Sequence, residues 1–290
     1  MKRYVIIGNG VAAAGCIEGI RSVDRDGEIT VVSEEKHPVY CRPLISYYLE
    51  GKTKIKNIGY RPADFYEKNN CRLLLGRRAQ RLELDEKKVY LDDGTALSWD
   101  SICVAAGSSP FVPPMAGLDS VENKFGFMTL DDALAVEKAV DGEKRVLIIG
   151  AGLIGLKCAE GILGRAKSVT VCDLADRVLS SILDAESAAI MQSHLEKCGV
   201  RFMLGDTAAS FDKNTAHMKS GRDVEFDVLI LAVGVRANSA LVKDAGGDAG
   251  RGIVIDSRCA ASLPDVYAAG DCTECHDISS DTERILAILP

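Results

Sequence analysis

Two glycine-rich segments in similar surroundings constrain the fold of this 290-residue chain more than any other feature. The first reads Gly8-Asn-Gly10-Val-Ala-Ala13, and the second, about 140 residues later, reads Gly150-Ala-Gly152-Leu-Ile-Gly155. In such a segment the first glycine makes a turn, the second lets the backbone approach a pyrophosphate, and the small third residue lets a helix pack closely on a strand. The pair predicts two dinucleotide-binding units.

Runs with strand or helix patterns surround both segments. Continuous β-branched residues predict strands, and apolar residues at helical spacing predict helices. The runs around the first segment are a strand at 3–7, a helix at 11–21 and a strand at 29–32. Those around the second are a strand at 145–149, a helix at 156–164 and a strand at 168–172. A β-α-β unit is therefore predicted twice, which is the setting in which such a turn binds a dinucleotide.

Shorter strands and turns fill the rest of each half. Strands are predicted at 72–75, 79–84 and 88–91 before a hairpin turn at 92–94, and at 201–204, 208–211 and 216–219 before a turn at 220–221. Further predictions are a buried strand at 228–233, an amphipathic helix at 185–197 and a proline-rich linker at 110–114.

Acidic residues follow the second strand of each unit, where a carboxylate holds the ribose hydroxyls of adenosine. In the first unit these are Glu34 and Glu35, of which Glu34 is preferred for the ribose. In the second unit the residue is Asp173, which favours NADH over NADPH because a 2'-phosphate needs a basic partner. Arg177 lies close enough in sequence to leave NADPH as an alternative.

Composition indicates an ordinary globular protein and excludes several functions. The formal net charge of -7 argues against a nucleic-acid partner, and no apolar run reaches the length of a membrane span. The ten cysteines are scattered, which favours a reducing, cytoplasmic location. The single pair Cys272 and Cys275 has ligand spacing but lacks a second pair, so no metal is expected.

Further motifs resemble those of one family. The two glycine segments, the turn Ala105-Ala106-Gly107 and the segment Ala269-Gly270-Asp271 together resemble the FAD-dependent pyridine nucleotide-disulfide oxidoreductases. Within that family, Pro38-Val-Tyr-Cys-Arg42-Pro-Leu-Ile-Ser46 is similar to a segment of the rubredoxin, putidaredoxin and nitrite reductase flavoprotein components. The resemblance extends over the whole chain.

The resemblance implies an α/β fold of two Rossmann-like, three-layer domains, with the NAD domain inserted within the FAD domain. The FAD-binding domain is expected at 1–112 plus 234–290, and the NAD(P)H-binding domain at 113–233. Residues expected at the FAD are Gly8, Gly10, Val11, Ala12, Ala13, Glu34, Glu35, Arg42, Ala79, Ala106, Gly107 and Asp271. Residues expected at the NADH are Gly150, Gly152, Leu153, Ile154, Gly155, Asp173 and Gly234.

Particular roles follow from the same resemblance. Asp271 corresponds to an aspartate that contacts the ribityl chain of FAD, and the backbone of Ala79 corresponds to one that meets the adenine. Arg42 is expected near the flavin pyrophosphate. The implied activity is that of an FAD-dependent NAD(P)H oxidoreductase, a flavoprotein in which NADH reduces FAD and electrons pass to a small redox protein such as rubredoxin or another iron-sulfur protein.

One departure from the family concerns cysteine. Glutathione reductase and its relatives carry a Cys-x4-Cys disulfide where this chain has only Cys41, so a two-cysteine relay is not expected. A lone cysteine in this region resembles the redox thiol of NADH oxidases, peroxidases and coenzyme A-disulfide reductases. A redox role of Cys41 toward a small-molecule oxidant is therefore an alternative, and a non-catalytic NADH sensor is a second one.

A second departure concerns charge. Many relatives place a lysine and a glutamate, near flavin N5, at the positions of Tyr47 and Lys157 in this chain. We expect Lys157 either to supply the positive charge from the NAD domain, which would favour added negative charge on the flavin, or to extend into solvent.

A third departure is at the end of the chain. Relatives continue for a C-terminal interface domain, whereas this sequence stops at 285–290, within an apparent next strand or helix. The interface domain is therefore expected to be absent, and a homodimer is left open.

Overall fold

The computed structural model describes residues 1–285 and divides the chain into two units. Unit 1 contains residues 1–41, 59–109 and those from 236 onward, and unit 2 contains residues 42–58 and 110–235. Residues 286–290, where the sequence predicts part of a further strand or helix, lie outside the described residues.

The strands are numbered in chain order. They are β1 (Arg3–Ile7), β2 (Glu28–Ser33), β3 (Cys71–Leu75), β4 (Ala79–Glu83), β5 (Lys88–Leu91), β6 (Ala96–Ser98), β7 (Ser101–Val104), β8 (Ser108–Pro110), β9 (Lys124–Phe125), β10 (Arg145–Ile149), β11 (Ser168–Asp173), β12 (Val200–Leu204), β13 (Ala208–Asp212), β14 (Thr215–Met218), β15 (Asp223–Glu225), β16 (Val228–Leu231), β17 (Val235–Ala237), β18 (Ile253–Val254), β19 (Val266–Ala268), β20 (Thr273–Asp277) and β21 (Thr282–Arg284).

The helices are fewer and mostly short. They are α1 (Val11–Val23), α2 (Leu44–Leu49), α3 (Phe65–Lys68), α4 (Leu130–Ala139), α5 (Leu153–Ile162), α6 (Ala185–Lys197) and α7 (Ala240–Lys243), with 3-10 turns at Ile55–Asn57 and Leu118–Ser120. Within residues 1–285, none is both long and apolar enough to cross a membrane.

Unit 1 is built on a five-stranded parallel sheet in the order β19-β7-β1-β2-β3. Successive residues of a strand point to opposite faces, so each strand contributes to two cores. On one face Ile6 and Val31 pack with Ile17 of α1 and Phe65 of α3. On the other face the sheet packs against the antiparallel meander β4-β5-β6, which buries Trp99 completely. Unit 1 therefore has three layers.

Unit 2 repeats this architecture. Its five-stranded parallel sheet has the order β12-β11-β10-β16-β9. One face packs against the meander β13-β14-β15, where Phe211 and Phe226 meet edge to face with ring centroids 6.1 Å apart. The near-continuous apolar run of β10 is typical of a parallel strand buried on both faces. The α/β class with two Rossmann-like units, predicted from the sequence, is confirmed.

One segment belongs to a different unit from the one expected. Residues 42–58 were assigned by resemblance to the first domain, and the structure groups them with unit 2. The reason is the packing of α2: a Cβ on Gly161 of α5 would lie 3.0 Å from the carbonyl oxygen of Ser46 and 3.1 Å from Leu49 Cβ. The hydroxyl of Tyr48 also donates to Glu137 of α4. A side chain at position 161 would make these neighbours of α2 shift, so glycine favours the close approach.

The local predictions differ from the structure mainly at element ends. The strands at 3–7, 88–91 and 145–149 and the helix at 185–197 have the predicted bounds. The helix expected to begin at 156 begins at Leu153 instead. The second half of the glycine segment is thus the first turn of α5. Separately, the strand expected at 228–233 ends at Leu231.

Candidate dinucleotide-binding sites

The first glycine segment of unit 1 forms a tight turn between β1 and α1. Gly8 has φ +107°, and a Cβ at this position would lie 2.0 Å from the carbonyl oxygen of Ala105. Its N–H donates to Val32 O at 2.7 Å, and Ala105 N donates to Ile7 O at 2.7 Å. Only glycine fits at position 8, because both the left-handed backbone and the nearby strand exclude a side chain.

The start of α1 leaves its backbone N–H groups available. Gly10 is the N-cap, with an extended backbone, and a Cβ there would meet nothing within 4 Å among the described atoms. In contrast, α4 is closed by a capping box of Thr129 and Asp132, and α6 is capped by Asp184. No described residue caps α1 through its side chain, and its first turn has no acidic residue. An uncapped helix start with open space beside it suits an anion such as a pyrophosphate.

Asn9, the middle residue of this turn, is fixed by contacts that the sequence did not predict. Its Oδ1 accepts a hydrogen bond from the Tyr66 hydroxyl at 2.7 Å, and its Nδ2 donates to His37 O at 3.2 Å. The Tyr66 oxygen in turn accepts from Val39 N at 3.0 Å. Tyr66 lies 57 residues from Asn9. No local sequence pattern predicts this contact, which holds the glycine turn in place.

The segment after β19 approaches the same helix. Gly270 has φ +84°, and a Cβ there would lie 2.9 Å from Ala12 Cβ. The carbonyl oxygen of Gly270 accepts from both N and Oγ1 of Thr273, at 2.9 and 2.7 Å. Asp271 is therefore held by a hydrogen-bonded turn beside α1, and its side chain is exposed. Val11 and Ala12 are partly exposed, whereas Ala13 is fully buried against the sheet.

The residues after β7 form another part of this edge. Ala106 O accepts from Asn238 Nδ2 at 2.8 Å, and Gly107 O accepts from Asn238 N at 2.9 Å. Gly107 has φ +63°, and a Cβ there would meet nothing within 4 Å. Asn238, which the sequence reasoning missed, thus holds the backbone of the Ala106-Gly107 turn.

The two acidic residues after β2 have different partners. Glu34 and Arg78 form an exposed ion pair at 3.0 Å, immediately before Ala79 at the start of β4. Glu35 instead accepts from the Tyr40 hydroxyl at 2.5 Å. The Glu34 side chain thus lies beside the residue that precedes Ala79, and the tyrosine contact engages Glu35.

The second glycine segment repeats the geometry in unit 2. Gly150 has φ +115°, and a Cβ there would lie 2.2 Å from the carbonyl oxygen of Ala232. Gly150 N donates to Cys172 O at 2.8 Å. A Cβ at Gly155 would lie 2.0 Å from the Gly150 carbonyl oxygen, so this third position also requires glycine. In unit 1 the corresponding residue is Ala13, which is fully buried.

The start of α5 is as open as that of α1. Gly152 is the N-cap, and a Cβ there would meet nothing within 4 Å. In the described part of the chain α5 has no side-chain cap and no acidic residue in its first turn. Leu153 is exposed and Ile154 half-exposed. Gly234, with φ +119°, accepts a hydrogen bond from Phe111 N at 2.9 Å through its carbonyl oxygen.

Asp173 ends β11 with both carboxylate oxygens engaged by backbone groups. Oδ2 accepts from Ala151 N at 2.6 Å, and Oδ1 accepts from Ala175 N at 2.8 Å. The carboxylate therefore sits directly beside the glycine turn. Arg177 pairs with the exposed Asp176 at 3.0 Å, and its Nε is buried without a hydrogen-bond partner among the described residues.

Lys157 and Tyr47, the two positions that depart from the family pattern, contact each other within unit 2. The Lys157 ammonium lies 4.7 Å from the centroid of the Tyr47 ring, a distance typical of a cation–π contact. It also forms an ion pair with Glu160, one helical turn away. The lysine is therefore neither a lone charge nor a side chain extended into solvent. A second lysine, Lys52, lies 5.6 Å from the same ring centroid.

Cys41 and Arg42 are neighbours in sequence, where the chain passes from a segment of unit 1 to a segment of unit 2. Cys41 is a half-buried free thiol at the end of a unit 1 segment. Arg42 begins the unit 2 segment, is exposed, and donates from Nη1 to Met128 O at 2.8 Å.

Comparison with known proteins identifies the family. The family model described as pyridine nucleotide-disulphide oxidoreductase matches residues 2–286. The assimilatory nitrate reductase electron transfer subunit of Bacillus subtilis is 32% identical over 278 residues, which are 94% of this chain and 36% of that protein. The NADH oxidase of Methanocaldococcus jannaschii is 33% identical over 287 residues, 95% of this chain and 64% of that protein.

A solved structure shows the same architecture. The covalent putidaredoxin reductase–putidaredoxin complex contains a chain that matches with a TM-score of 0.90 and 28% identity, over 98% of this chain and 71% of the other. The chain thus spans little more than a third of its nitrate reductase relative and about two thirds of the other two. The family model matches residues 2–286, which is nearly the full length of the chain, and both glycine turns are intact. The chain therefore belongs to the pyridine nucleotide-disulphide oxidoreductase family.

Proposed function

We propose that this chain is an FAD-dependent NAD(P)H oxidoreductase in which unit 1 binds FAD and unit 2 binds NADH. When bound, FAD accepts hydride from the reduced nicotinamide and passes electrons to a further acceptor. The chain itself supplies binding and orientation, because hydride transfer requires no acid or base from the protein.

The observation that carries the proposal is the contrast among the four longer helices. Two of them, α4 and α6, are closed by side-chain caps, whereas α1 and α5 begin at Gly10 and Gly152 with open space beside their N–H groups. A glycine N-cap offers the first N–H groups no side-chain acceptor, at a cost of only about a few tenths of a kcal/mol relative to a polar cap. Two such starts, both in glycine turns at the ends of parallel strands, are what a pair of dinucleotides needs.

Further contacts support a division of roles within unit 1. Gly8 and Gly10 would hold the pyrophosphate of FAD, with Val11 to Ala13 at the helix start. Glu34 and the backbone of Ala79 would hold the adenosine, and Asp271, fixed beside Ala12 by the turn at Gly270, would reach the ribityl chain. Ala106 and Gly107 would also border the ribityl chain.

Asp173 supports NADH as the donor in unit 2. A carboxylate placed beside the glycine turn would accept hydrogen bonds from ribose hydroxyls and would repel a 2'-phosphate. Gly150 and Gly152 would receive the pyrophosphate, with Leu153 and Ile154 at the helix start. Gly155 would keep α5 packed on the turn, and Gly234, after β16, would border the same nucleotide. Arg177 keeps NADPH as the alternative donor to be tested.

We infer that the acceptor is a small redox protein. The solved relative is a covalent complex of putidaredoxin reductase with putidaredoxin, and the Bacillus relative is named as an electron transfer subunit. The net charge of -7 favours a partner surface with basic groups, since complementary charge speeds association.

The direct experiment is an anaerobic titration of the FAD-reconstituted chain with NADH and with NADPH. We expect NADH to remove the long-wavelength flavin absorbance, and to do so faster than NADPH. Failure to bind FAD would contradict the proposal at its first step. Retention of FAD with no loss of absorbance under either donor would contradict the oxidoreductase activity and support the alternative of a non-catalytic NADH sensor.

A pair of glycine substitutions in α1 tests the FAD site itself. Gly10→Ala places a Cβ where the protein has open space, so it leaves the fold intact but obstructs a pyrophosphate. We expect the Kd for FAD to rise roughly tenfold or more, which corresponds to about 1.4 kcal/mol. Gly19→Ala, in the same helix and also facing open space, is the matched control and leaves the Kd for FAD unchanged. Equal affinities in the two variants would contradict the assignment.

A second candidate function uses Cys41 as a redox thiol toward oxygen, a peroxide or a disulfide. It is favoured by the NADH oxidase relative and by the free, half-buried state of this cysteine. The test compares Cys41→Ser with the unchanged chain, using oxygen, peroxide, disulfide and rubredoxin as acceptors. If the substitution lowers turnover with the small oxidants alone, Cys41 is a redox thiol. Unchanged turnover with all four excludes this candidate.

A further inference from the structure

The glycine turn of unit 1 has a single side chain through which it can be held. Gly8 and Gly10 have none, so side-chain contacts of the segment between β1 and α1 must be made by Asn9. Because glycine is conformationally free, a turn that contains two glycines gains order from a fixed contact at its middle residue. The partners of Asn9 therefore bear directly on how rigid the turn is.

Tyr66 lies on the short helix α3, and packing fixes the position of its ring. The preceding residue, Phe65, is 6% exposed and belongs to the buried cluster that includes Ile6 and Ile17. The rings of Phe65 and Tyr66 meet edge to face, with their centroids 5.2 Å apart. The Tyr66 ring is itself half-buried and packs against the same cluster. Its hydroxyl therefore reaches the glycine turn from an anchored side chain.

The hydrogen bonds around the Tyr66 hydroxyl fix the direction of its proton. Val39 N donates to the hydroxyl oxygen at 3.0 Å, so the phenol proton is left for Asn9 Oδ1, 2.7 Å away. Asn9 Nδ2 donates to His37 O at 3.2 Å, where a reversed amide would place two oxygens against each other. Burial raises the pKa of Tyr66, so the hydroxyl keeps its proton and remains a donor.

The same network joins the glycine turn to the segment that follows β2. His37 and Val39 come shortly after Glu34, the carboxylate proposed to hold the adenosine ribose. Tyr66 and Asn9 thus connect the part of unit 1 that would receive the pyrophosphate to the part that would hold the adenosine.

Unit 2 holds its glycine turn in another way. Ala151 stands at the place of Asn9, and its methyl group can make no hydrogen bond. This turn is held through its backbone, since Ala151 N donates to the Asp173 carboxylate at 2.6 Å. The carboxylate at the end of the second strand therefore does in unit 2 what Asn9 and Tyr66 do in unit 1.

We propose that Tyr66 is a positioning residue for FAD, because by holding Asn9 it keeps the turn in the conformation that receives the pyrophosphate. This role rests on the proposed function, since it requires unit 1 to bind FAD. A turn that is held before the nucleotide arrives loses less conformational freedom on binding, so binding is tighter. Tyr66 acts through Asn9 and need not touch the nucleotide.

Binding of FAD to the full chain tests this role. Tyr66→Phe keeps the ring and removes the hydroxyl, and we expect the Kd for FAD to rise roughly three- to tenfold, the effect of one neutral hydrogen bond. Tyr4→Phe is the matched control. It removes another hydroxyl of unit 1, which donates to Asp24 at 3.0 Å, and should leave the Kd for FAD unchanged. Fluorescence titration measures both values at a temperature where each variant is folded.

A double-substitution cycle separates positioning from a general loss of stability. Asn9→Ala gives unit 1 the residue that unit 2 has at this place, and it removes the acceptor of the Tyr66 hydroxyl. We expect Tyr66→Phe to have no further effect on the Kd for FAD in the Asn9→Ala background, because residues that act together are not additive. A similar rise in both backgrounds, or an unchanged Kd in Tyr66→Phe alone, would overturn the proposal.

Amide hydrogen exchange of the full chain without FAD gives a readout that does not depend on the nucleotide. We expect the amide of Gly8, which donates to Val32 O, to exchange faster in Tyr66→Phe than in Tyr4→Phe, while the amides of β7 keep their rates. Equal exchange at Gly8 would overturn the role of Tyr66. Faster exchange in a chain that fails to bind FAD would contradict the proposed function and still show that Tyr66 holds the turn.

Discussion

The Asp173 carboxylate accepts a hydrogen bond from the backbone N–H of Ala151 at 2.6 Å. This bond joins the end of β11 to the glycine turn of unit 2. Its other oxygen accepts from Ala175 N. Asp173 therefore fixes the turn, and the same carboxylate is proposed to receive the ribose hydroxyls of NADH.

Asp173→Asn keeps one acceptor oxygen and removes the charge. We expect the Kd for NADH to rise roughly 10- to 100-fold, because hydrogen bonds to a charged group contribute about 1.5–3 kcal/mol. The Kd for NADPH should change less, since a repulsive charge is also removed. Calorimetric titration measures both. Asp212→Asn, which removes an exposed carboxylate from β13 of the same unit, is the control. A Kd for NADH equal in Asp173→Asn and the unchanged chain would contradict the assignment.

Gly152→Ala tests the second nucleotide turn. Its Cβ would meet no described atom, so we expect the melting temperature to stay within a few degrees while NADH binding weakens roughly tenfold or more. Gly164→Ala, beyond the same helix and also facing open space, should leave both quantities unchanged.

Gly155→Ala should behave differently, because its Cβ would overlap the Gly150 carbonyl oxygen. We expect a loss of roughly 1–3 kcal/mol of stability, the usual cost of overpacking. A stable Gly155→Ala protein in thermal denaturation would show that the turn can relax.

Substitutions of Lys157 and Glu160 test whether charge in α5 acts on the flavin. If the Lys157 charge reaches the flavin, Lys157→Met should lower the flavin midpoint potential and Glu160→Gln should raise it. Each substitution should change the free energy of flavin reduction by on the order of 1 kcal/mol or less, because exposed charges are screened. Lys52→Met removes the other lysine near Tyr47 and is the control. Potentials unchanged in both α5 variants would mean that Lys157 only pairs with Glu160 and Tyr47.

Asp227 gives unit 2 a pH-dependent stability. Hydrogen bonds from Arg145 hold the pKa of Asp227 below its usual value. A lowered folded-state pKa contributes stability that is present above the unfolded value of about 3.9 and is lost as the pH falls.

We therefore expect Asp227→Asn to lower the free energy of unfolding by about 1 kcal/mol at neutral pH, and by progressively less as the pH falls below about 4. Urea denaturation at several pH values measures the difference. Asp212→Asn, which removes an exposed carboxylate from β13 of the same unit, controls for net charge. A difference that stays constant down to low pH would contradict the prediction.

Features encoded in adjacent residues could be predicted, and those that depend on distant contacts could not. The strand at 145–149 is one apolar run followed by glycine, and α6 at 185–197 has an N-cap aspartate. Both elements can therefore be predicted from residues that are adjacent in sequence. The hydrogen bond of Tyr66 to Asn9 and the approach of Lys157 to Tyr47 join segments 57 and 110 residues apart. Residues 42–58 were placed by resemblance, whereas the packing of α2 on Gly161 decides their unit.

The sheet order of unit 1 also has a consequence for how the protein is made. Strand β19 completes that sheet by pairing Val266 with Ile102, about 160 residues earlier in the chain. All five strands of the unit 2 sheet, in contrast, have been translated by residue 231. Closing so long a loop is entropically costly and slow. On the ribosome, unit 2 can therefore fold while unit 1 still waits for its last parallel strand.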